Sequence, residues 1–150
     1  SGGSLMLKNL SPLLAPELLK ILCEMGHGDE IVIADGNFPA AALHNRVVRL
    51  DAHGGVEVLR AIMSVLPLDN YSDPNAMLME VVPGDPVETP IWHEYAAVLR
   101  ASEGDVTRIG HIERFAFYER ARHAYAVIAT GETALYANII LKKGVILPND

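Results

Sequence analysis

Cysteine is almost absent from this chain: Cys23 is the only one among 150 residues, so no intrachain disulfide can form. We therefore expect a reducing compartment, the cytoplasm. Cys23 lies inside an apolar helical pattern, which predicts a small buried thiol without a catalytic role. Long apolar runs are also missing, since none approaches the roughly 18 residues that span a bilayer, and the amino terminus lacks a secretory signal pattern. These absences predict a soluble cytoplasmic protein with no membrane partner.

Positive charge is sparse as well. The sequence has 12 lysines and arginines against 19 aspartates and glutamates, a net charge of −7. Nucleic-acid binding rests on clustered basic residues, so this balance argues against a nucleic-acid partner. There is no His-x-His, no His-Glu-x-x-His and no cysteine pair, so we predict no metal site. Gly26-His27-Gly28 lacks the third glycine of a dinucleotide fingerprint and precedes a strand rather than a helix, which argues against a phosphate-binding loop.

Half of the residues are hydrophobic, enough at this length for one domain with a single core. We expect residues 1–5 to be a remnant of cloning and residues 6–150 to form that domain. Pro16 suits the first turn of a helix, and Thr89 is the predicted N-cap of another. The predicted helices cover residues 16–25, 56–66, 89–99 and 114–121, and the predicted strands cover residues 30–34, 46–50, 76–82, 107–109, 125–129 and 138–141. This alternation predicts an α/β fold, with helices packed on a central sheet that is mostly parallel or mixed.

His27 stands between Gly26 and Gly28, after the first helical pattern and before the first strand. Because glycine takes the left-handed conformation readily, we expect the helix to stop at Gly26. The absence of side chains on both sides also lets another molecule approach the imidazole, whose unperturbed pKa of about 6.5 suits proton transfer near neutral pH. Two interpretations stand: a polar residue that fills a turn, or an acid–base group on a bare backbone.

Asp35 directly follows the predicted strand at residues 30–34, and Gly36-Asn37-Phe38-Pro39 breaks the chain after it. Ligands of open α/β sheets usually bind at such carboxyl ends of strands. A carboxylate there could orient an imidazole or hold a hydroxyl-rich substrate. However, His27 precedes the same strand, and five strand residues rise by about 17 Å. The two side chains can meet only if other elements, or a second chain, bring them together.

Tyr136 and Asn138 flank Ala137 near the last predicted strand, where alternate residues share one face. Their phenol and amide could bind a polar ligand; alternatively, Tyr136 packs and Asn138 satisfies a turn. Arg114 begins an aromatic helical pattern with a similar ambiguity. Such a helix face usually belongs to the core, whereas an arginine at its start can donate to a sugar hydroxyl or a carboxylate.

Five segments in order carry a family resemblance: Met25-Gly-His-Gly-Asp-Glu30, Asp35-Gly-Asn-Phe-Pro39, Arg114-Phe-Ala-Phe-Tyr-Glu-Arg-Ala121, Thr130-Gly-Glu132 and Tyr136-Ala-Asn-Ile-Ile-Leu-Lys-Lys-Gly144. Together they resemble the fucose mutarotase branch of the ribose pyranase/fucose mutarotase family, over nearly the whole chain. The ribose pyranase branch is less similar, because it typically lacks the aromatic arginine block and the Lys-Lys-Gly ending. Ala137 stands where close fucose mutarotases commonly have glycine.

The resemblance implies a ribose pyranase-like fold and an isomerase that interconverts the α and β anomers of L-fucose, or a similar pyranose, without a cofactor. It implies that His27 is the catalytic proton donor and that the sugar is contacted by Asp35, Arg114, Tyr136, Ala137 and Asn138. It also implies a ring-shaped homo-oligomer, commonly a decamer of two pentamers, with sites between neighbouring subunits. Such a ring would remove the distance problem, because an adjoining chain could supply the segment 136–138. The alternatives are a D-ribose pyranase and a sugar-binding protein without turnover.

Overall fold

A computed structural model describes residues 7–149 of the chain, so the expected boundary between residues 5 and 6 lies outside the described residues. The helices in this range are α1 (Pro16–Glu24), α2 (Ala40–Leu43), α3 (Gly55–Met63), α4 (Ile91–Glu103) and α5 (Arg114–His123), with a short 3₁₀ helix at Gly104–Val106. The strands are β1 (Glu30–Ala34), β2 (Val47–Leu50), β3 (Ala76–Met79), β4 (Ile109–Ile112), β5 (Ala126–Thr130) and β6 (Ile139–Lys142). No helix among residues 7–149 is long and apolar enough to cross a membrane.

The strands form one mixed sheet in the order β2-β5-β1-β6-β3-β4. β1 runs parallel to β5, β5 to β2 and β3 to β4, while β6 is antiparallel to both of its neighbours, β1 and β3. Five strands therefore point the same way. This arrangement confirms the prediction of an α/β fold with a mostly parallel or mixed sheet.

Strand β1 illustrates how helices cover both faces of the sheet. Ile31 and Ile33 point into one apolar cluster and Val32 and Ala34 into another, as side-chain alternation requires, and all four are fully buried. Helices α1, α3 and α4 complete the first cluster, and α2 and α5 complete the second. Since both faces are covered, the rows of strand ends are the natural places for a ligand. We call the row where the five parallel strands end the carboxyl edge, and the opposite row the amino edge.

The prediction that Thr89 is an N-cap is wrong. Pro90 occupies the N-cap position of α4, which begins at Ile91. Proline suits a helix start because its ring fixes φ and its missing N–H leaves no donor unpaired. Thr89 contributes its carbonyl instead, which accepts a hydrogen bond from Trp92 N at 3.1 Å.

Cys23 is exposed, so the prediction of a buried thiol is also wrong. The buried positions of α1 are Leu18, Ile21 and Leu22. Each helical residue turns by about 100°, so Cys23 lies further round the helix, on its solvent side.

Two predicted strands have different bounds in the structure. Strand β4 lies at Ile109–Ile112 instead of residues 107–109, because the preceding N–H of Arg108 donates to the Asn75 side chain at 2.9 Å. The ladder between β3 and β4 consequently starts at Ile109. Strand β3 ends at Met79, three residues before the predicted end.

Candidate active site

A small pocket opens at the carboxyl edge of the sheet. Its volume of about 230 Å³ lies below the roughly 300 Å³ at which drug-sized sites begin, so it suits a small molecule. Four predicted site residues line it: Asp35 after β1, Arg114 at the start of α5, and Tyr136 and Asn138 before β6. The other lining residues are Asn37, Phe38, Met79, Asp85, Tyr118 and Leu135.

Asp35 is a buried carboxylate, only 5% exposed, and backbone donors hold both of its oxygens. Oδ1 accepts a hydrogen bond from Asn37 N at 3.0 Å, and Oδ2 accepts one from Ala137 N at 3.2 Å. Burial raises the pKa of Asp35 above its ordinary value, and the backbone hydrogen bonds offset only part of that effect. The chain thus fixes one acceptor group at the wall of the pocket.

Hydrogen bonds of Asn138 and Ala137 connect the segment before β6 to Asp35, at the end of β1. Asn138 Oδ1 accepts a hydrogen bond from Asp35 N at 2.7 Å, which leaves the Asn138 amide nitrogen to donate to a ligand. Ala137 is fully buried, and its carbonyl accepts a hydrogen bond from Tyr95 Oη at 3.0 Å. Ala137 is not among the residues that line the pocket, so its sugar contact stays a prediction.

The backbone of Tyr136 is not in the predicted strand conformation. Its φ of 55° is left-handed, and β6 begins only at Ile139, so Tyr136 and Asn138 do not share a face by strand alternation. That part of the prediction is wrong, although both side chains line the same pocket.

Asp85 is a pocket residue that sequence reasoning missed. Tyr136 Oη donates a hydrogen bond to Asp85 Oδ2 at 2.7 Å and accepts one from Val82 N at 3.3 Å. The hydrogen bond to Asp85 is the main cause that raises the pKa of the Tyr136 phenol. The only local signal is the turn at Pro83-Gly84-Asp85, where Gly84 has a φ of 88°.

Arg114 supplies the positive charge of the pocket. Within residues 7–149 no carboxylate pairs with it, and its guanidinium lies over the rings of Phe115 and Tyr118, at 5.2 and 5.6 Å from their centroids. Because Arg114 is stacked on aromatic rings and not paired with a carboxylate, its N–H groups are available to donate hydrogen bonds to the oxygens of a ligand.

One side of the pocket is apolar. Phe38 packs edge-to-face against Tyr118 with ring centroids 5.5 Å apart, and Met79 and Leu135 complete this side. A pocket with charged groups on one side and aromatic rings on the other suits a molecule that carries both hydroxyl groups and C–H surface, such as a sugar.

His27 lies away from the pocket, at the amino edge of the sheet, with all of β1 between it and Asp35. Five strand residues correspond to about 17 Å. Its partner there is Asp69, whose Oδ1 lies 2.9 Å from His27 Nε2. A single chain therefore does not bring the predicted proton donor to the predicted sugar contacts.

The two glycines beside His27 have different roles. Helix α1 ends at Glu24 with Met25 in extended conformation, so Gly26 does not end it by a left-handed turn, contrary to the prediction. Gly28 is the left-handed residue, with a φ of 88° that other residues adopt only with strain. A Cβ on Gly28 would meet nothing within 4 Å, whereas a Cβ on Gly26 would lie 3.6 Å from Asp29 Oδ2.

Glu132 and Arg120, which lie in two of the segments that carry the family resemblance, hold elements of the fold together. Glu132 accepts hydrogen bonds from Gly55 N and Ala134 N, which ties the end of β5 to the start of α3. Arg120 forms a two-bond ion pair with Glu30, at 2.9 and 2.7 Å, which fixes α5 to β1. Among residues 7–149 no three His, Cys, Asp or Glu side chains converge as metal ligands would.

Comparison with known proteins places this geometry in a family. Residues 8–146 match the RbsD / FucU transport protein family. A fucose mutarotase from Homo sapiens is 50% identical over 149 residues, covering 95% of this chain and 96% of that protein.

Solved structures agree with this match. FucU from Bifidobacterium longum has a TM-score of 0.89 and 57% identity, covering 92% of this chain and 99% of that one. A fucose mutarotase from Streptococcus pneumoniae, solved in complex with L-fucose, has the same TM-score of 0.89 with 47% identity over 94% of this chain and 100% of that one. Bacillus subtilis RbsD, solved with D-ribose, is less similar, with a TM-score of 0.67 and 25% identity over 89% and 95% of the two chains. The chain therefore belongs to the RbsD/FucU family, on the side of its fucose mutarotases.

Proposed function

We propose that this protein is a monosaccharide mutarotase, an isomerase that interconverts the α and β anomers of L-fucose. The observation that carries the proposal is the pocket at the carboxyl edge, where Asp35, Arg114, Tyr136 and Asn138 surround a space of sugar size. The high identity to fucose mutarotases supports the choice of sugar. The apolar side, with Phe38 and Tyr118, fits the methyl group of a 6-deoxy sugar, which D-ribose lacks.

Mutarotation needs two proton movements and no cofactor. The bond between the anomeric carbon and the ring oxygen breaks as the ring oxygen gains a proton and the anomeric hydroxyl loses one. The open aldehyde turns about its C1–C2 bond and recloses on the other face, with both protons returned. Positioned acid–base groups contribute on the order of 10²–10⁴ to the rate of such steps.

His27 gives its proton to the ring oxygen and takes it back on reclosure. Tyr136 and Asp85 serve the anomeric hydroxyl: because Tyr136 already donates to Asp85, its oxygen can accept the sugar proton while its own proton passes to that carboxylate. Asp35 and Asn138 hold the other hydroxyls, Arg114 orients the sugar, and Ala137 belongs to the segment 136–138 that contacts it.

The separation of His27 from the pocket supports a site shared between subunits. The two halves lie on opposite edges of the sheet, so head-to-tail association of identical chains would join the amino edge of one to the carboxyl edge of the next. Heterologous contacts of this kind form a ring when the rotation between neighbouring subunits completes a full turn. Large exposed apolar side chains occur at both edges: Tyr71, 74% exposed, beside His27, and Phe115, 66% exposed, beside the pocket. A ring, with a decamer as its expected form, and a cytoplasmic location are parts of this proposal.

The test is magnetisation exchange between the α and β anomers of L-fucose, followed by NMR with and without the protein. We expect the wild-type protein to accelerate exchange and His27→Ala to abolish it while the mass of the assembly stays the same. His123→Ala, which removes an exposed histidine on α5, is the matched control and keeps the wild-type rate. An unchanged rate in His27→Ala would remove His27 from the mechanism.

The same experiment separates the alternatives. Binding of L-fucose without faster exchange would indicate a sugar-binding protein. Faster interconversion of the pyranose and furanose forms of D-ribose, exceeding the effect on L-fucose, would indicate a ribose pyranase.

A further inference from the structure

His27 forms a dyad with the carboxylate of Asp69, and no local sequence pattern predicts this pairing. His27 Nε2 lies 2.9 Å from Asp69 Oδ1, although 42 residues separate the two. The environments of the two side chains differ sharply: the His27 side chain is 46% exposed and that of Asp69 only 5%. A buried carboxylate thus holds the inner nitrogen of a half-exposed imidazole.

Asp69 is fixed at every polar atom. Besides His27, its carboxylate accepts hydrogen bonds from Ser72 Oγ at 2.5 Å and Tyr71 N at 3.2 Å. Its backbone N–H donates to Lys142 O at 3.0 Å, and its carbonyl accepts from Asn75 Nδ2 at 2.9 Å. The side chain therefore has little freedom to move away from the imidazole.

Lys142 and Lys143, at the end of β6, accept hydrogen bonds from the backbone at or next to both members of the dyad. Lys143 O accepts a hydrogen bond from Gly28 N, directly after His27, while the preceding residue, Lys142, holds the backbone of Asp69. Gly144 lies so close to the Asp69 segment that a Cβ there would stand 2.4 Å from Leu68 O. The relative position of imidazole and carboxylate is consequently set by one strand end.

The chemistry of the pair determines which nitrogen can act. Burial raises the pKa of Asp69, but hydrogen bonds from Ser72 and His27 outweigh it, and the net effect holds that pKa below the ordinary value. An ionised carboxylate can only accept, so Nε2 carries a hydrogen and Nδ1 is the nitrogen left for the sugar. The doubly protonated imidazolium gives the Nδ1 proton to the ring oxygen and becomes the neutral tautomer with hydrogen on Nε2, and Nδ1 takes the proton back on reclosure.

We propose that Asp69 is a positioning residue for His27: it fixes the tautomer and the direction of the imidazole so that Nδ1 faces the sugar held by the neighbouring subunit. This inference rests on the proposed function. Tyr71 completes the arrangement, with its ring centroid 5.6 Å from that of His27.

A merely structural role would give a different result in a mutational test. An ion pair with a half-exposed partner adds little to stability, so the dyad is expected to matter for rate more than for folding. Asp69 does not line the pocket, so its loss should lower kcat and leave KM for the sugar unchanged.

The experiment measures kcat and KM for L-fucose exchange in Asp69→Ala, Asp69→Asn and Asp51→Ala, together with thermal unfolding and assembly mass. Asp51→Ala is the matched control, because it removes an exposed carboxylate that, among residues 7–149, pairs only with Arg49. Asn can keep an oxygen towards Tyr71 N and His27 while its NH2 faces the Ser72 hydroxyl, so it retains the acceptor without the charge.

We expect Asp69→Ala to lower kcat at least tenfold, within the 10²–10⁴ that acid–base catalysis contributes, with KM changed less than about twofold. Asp69→Asn should recover part of the loss. If Asp69→Ala does not fold, Asp69→Asn and Ser72→Ala decide the question, both with a kcat reduced by about twofold or more. An unchanged kcat in folded Asp69 variants, or equal loss in Asn and Ala, would overturn the positioning role. If His27→Ala itself keeps the wild-type rate, the proposed function fails instead.

Discussion

Asp35 is a carboxylate that the fold buries and whose neighbours donate to it. Burial is the larger effect and raises the pKa of Asp35, whereas the N–H groups of Asn37 and Ala137 lower it. A raised pKa means that the folded state binds a proton more tightly than the unfolded state does. The contribution of Asp35 to stability is therefore greatest below the ordinary aspartate pKa and is lost as the pH rises through the raised value.

The variant Asp35→Asn removes this titration. We expect its free energy of unfolding, relative to the wild type, to rise as the pH is raised from the ordinary aspartate pKa to neutrality. Chemical denaturation at a series of pH values measures the difference, with Asp51→Asn as the exposed control. A difference that stays flat or falls with pH would contradict the assignment. Exchange of L-fucose should slow, because an amide keeps only one of the two acceptor oxygens of Asp35 and loses the negative charge.

Residues next to strand ends were predictable, and residues that act through distant partners were not. Asp35 follows an apolar strand, and the resemblance segments contain Arg114 and Tyr136. Asp85 and Asp69 meet Tyr136 and His27 across 51 and 42 residues of chain. No local pattern encodes such a pair, because its distance depends on how the sheet is assembled.

At the scale of elements, the end of β6 connects the helix before His27 to the rest of the sheet. Lys143 Nζ donates to Leu22 O at 2.7 Å and to Met25 O at 2.6 Å, so one ammonium group binds a carbonyl in the last turn of α1 and the carbonyl of the residue directly after the helix. A cation at a helix carboxyl end is also favoured by the helix dipole. The Lys-Lys-Gly segment therefore has a structural role that its sequence alone did not reveal.

Replacing this cap tests that role. We expect Lys143→Met, which keeps the length of the side chain, to lower the free energy of unfolding by about 1 kcal/mol. The corresponding decrease of roughly 2–4 °C in the midpoint can be followed by thermal unfolding at equal chain concentration. Lys142→Met is the control, since no hydrogen bond of the Lys142 side chain occurs within residues 7–149. Equal midpoints in the two variants would show that the cap contributes nothing.

Periodicity predicted most elements, and the errors lie where tertiary contacts decide. The four residues of α2 are too few for a periodic signal. Strand β4 was displaced because Asn75 binds the backbone of Arg108. These contacts come from segments far apart in sequence, so local propensity cannot locate them.

At the scale of the whole molecule, the proposed proton donor His27 and the proposed sugar contacts lie on opposite edges of one sheet. The alternation of elements predicted the mixed sheet, but not its strand order, because β6 enters between β1 and β3 against the direction of both. That order places segment 136–138 at the carboxyl edge and Lys143, with His27 and Asp69, at the amino edge. A ring of ten chains of 16.3 kDa has a mass of about 160 kDa, which native mass spectrometry measures directly.

The most direct test of a shared site is complementation between two inactive variants. Chains with His27→Ala and chains with Arg114→Ala are co-expressed with different tags, and hybrid assemblies are isolated by both tags in turn. Each variant alone should be inactive towards L-fucose. Random mixing leaves about one junction in four with an intact His27 facing an intact Arg114, so we expect the hybrids to recover about a quarter of the wild-type exchange rate. Hybrids as inactive as either variant would contradict a site built from two subunits.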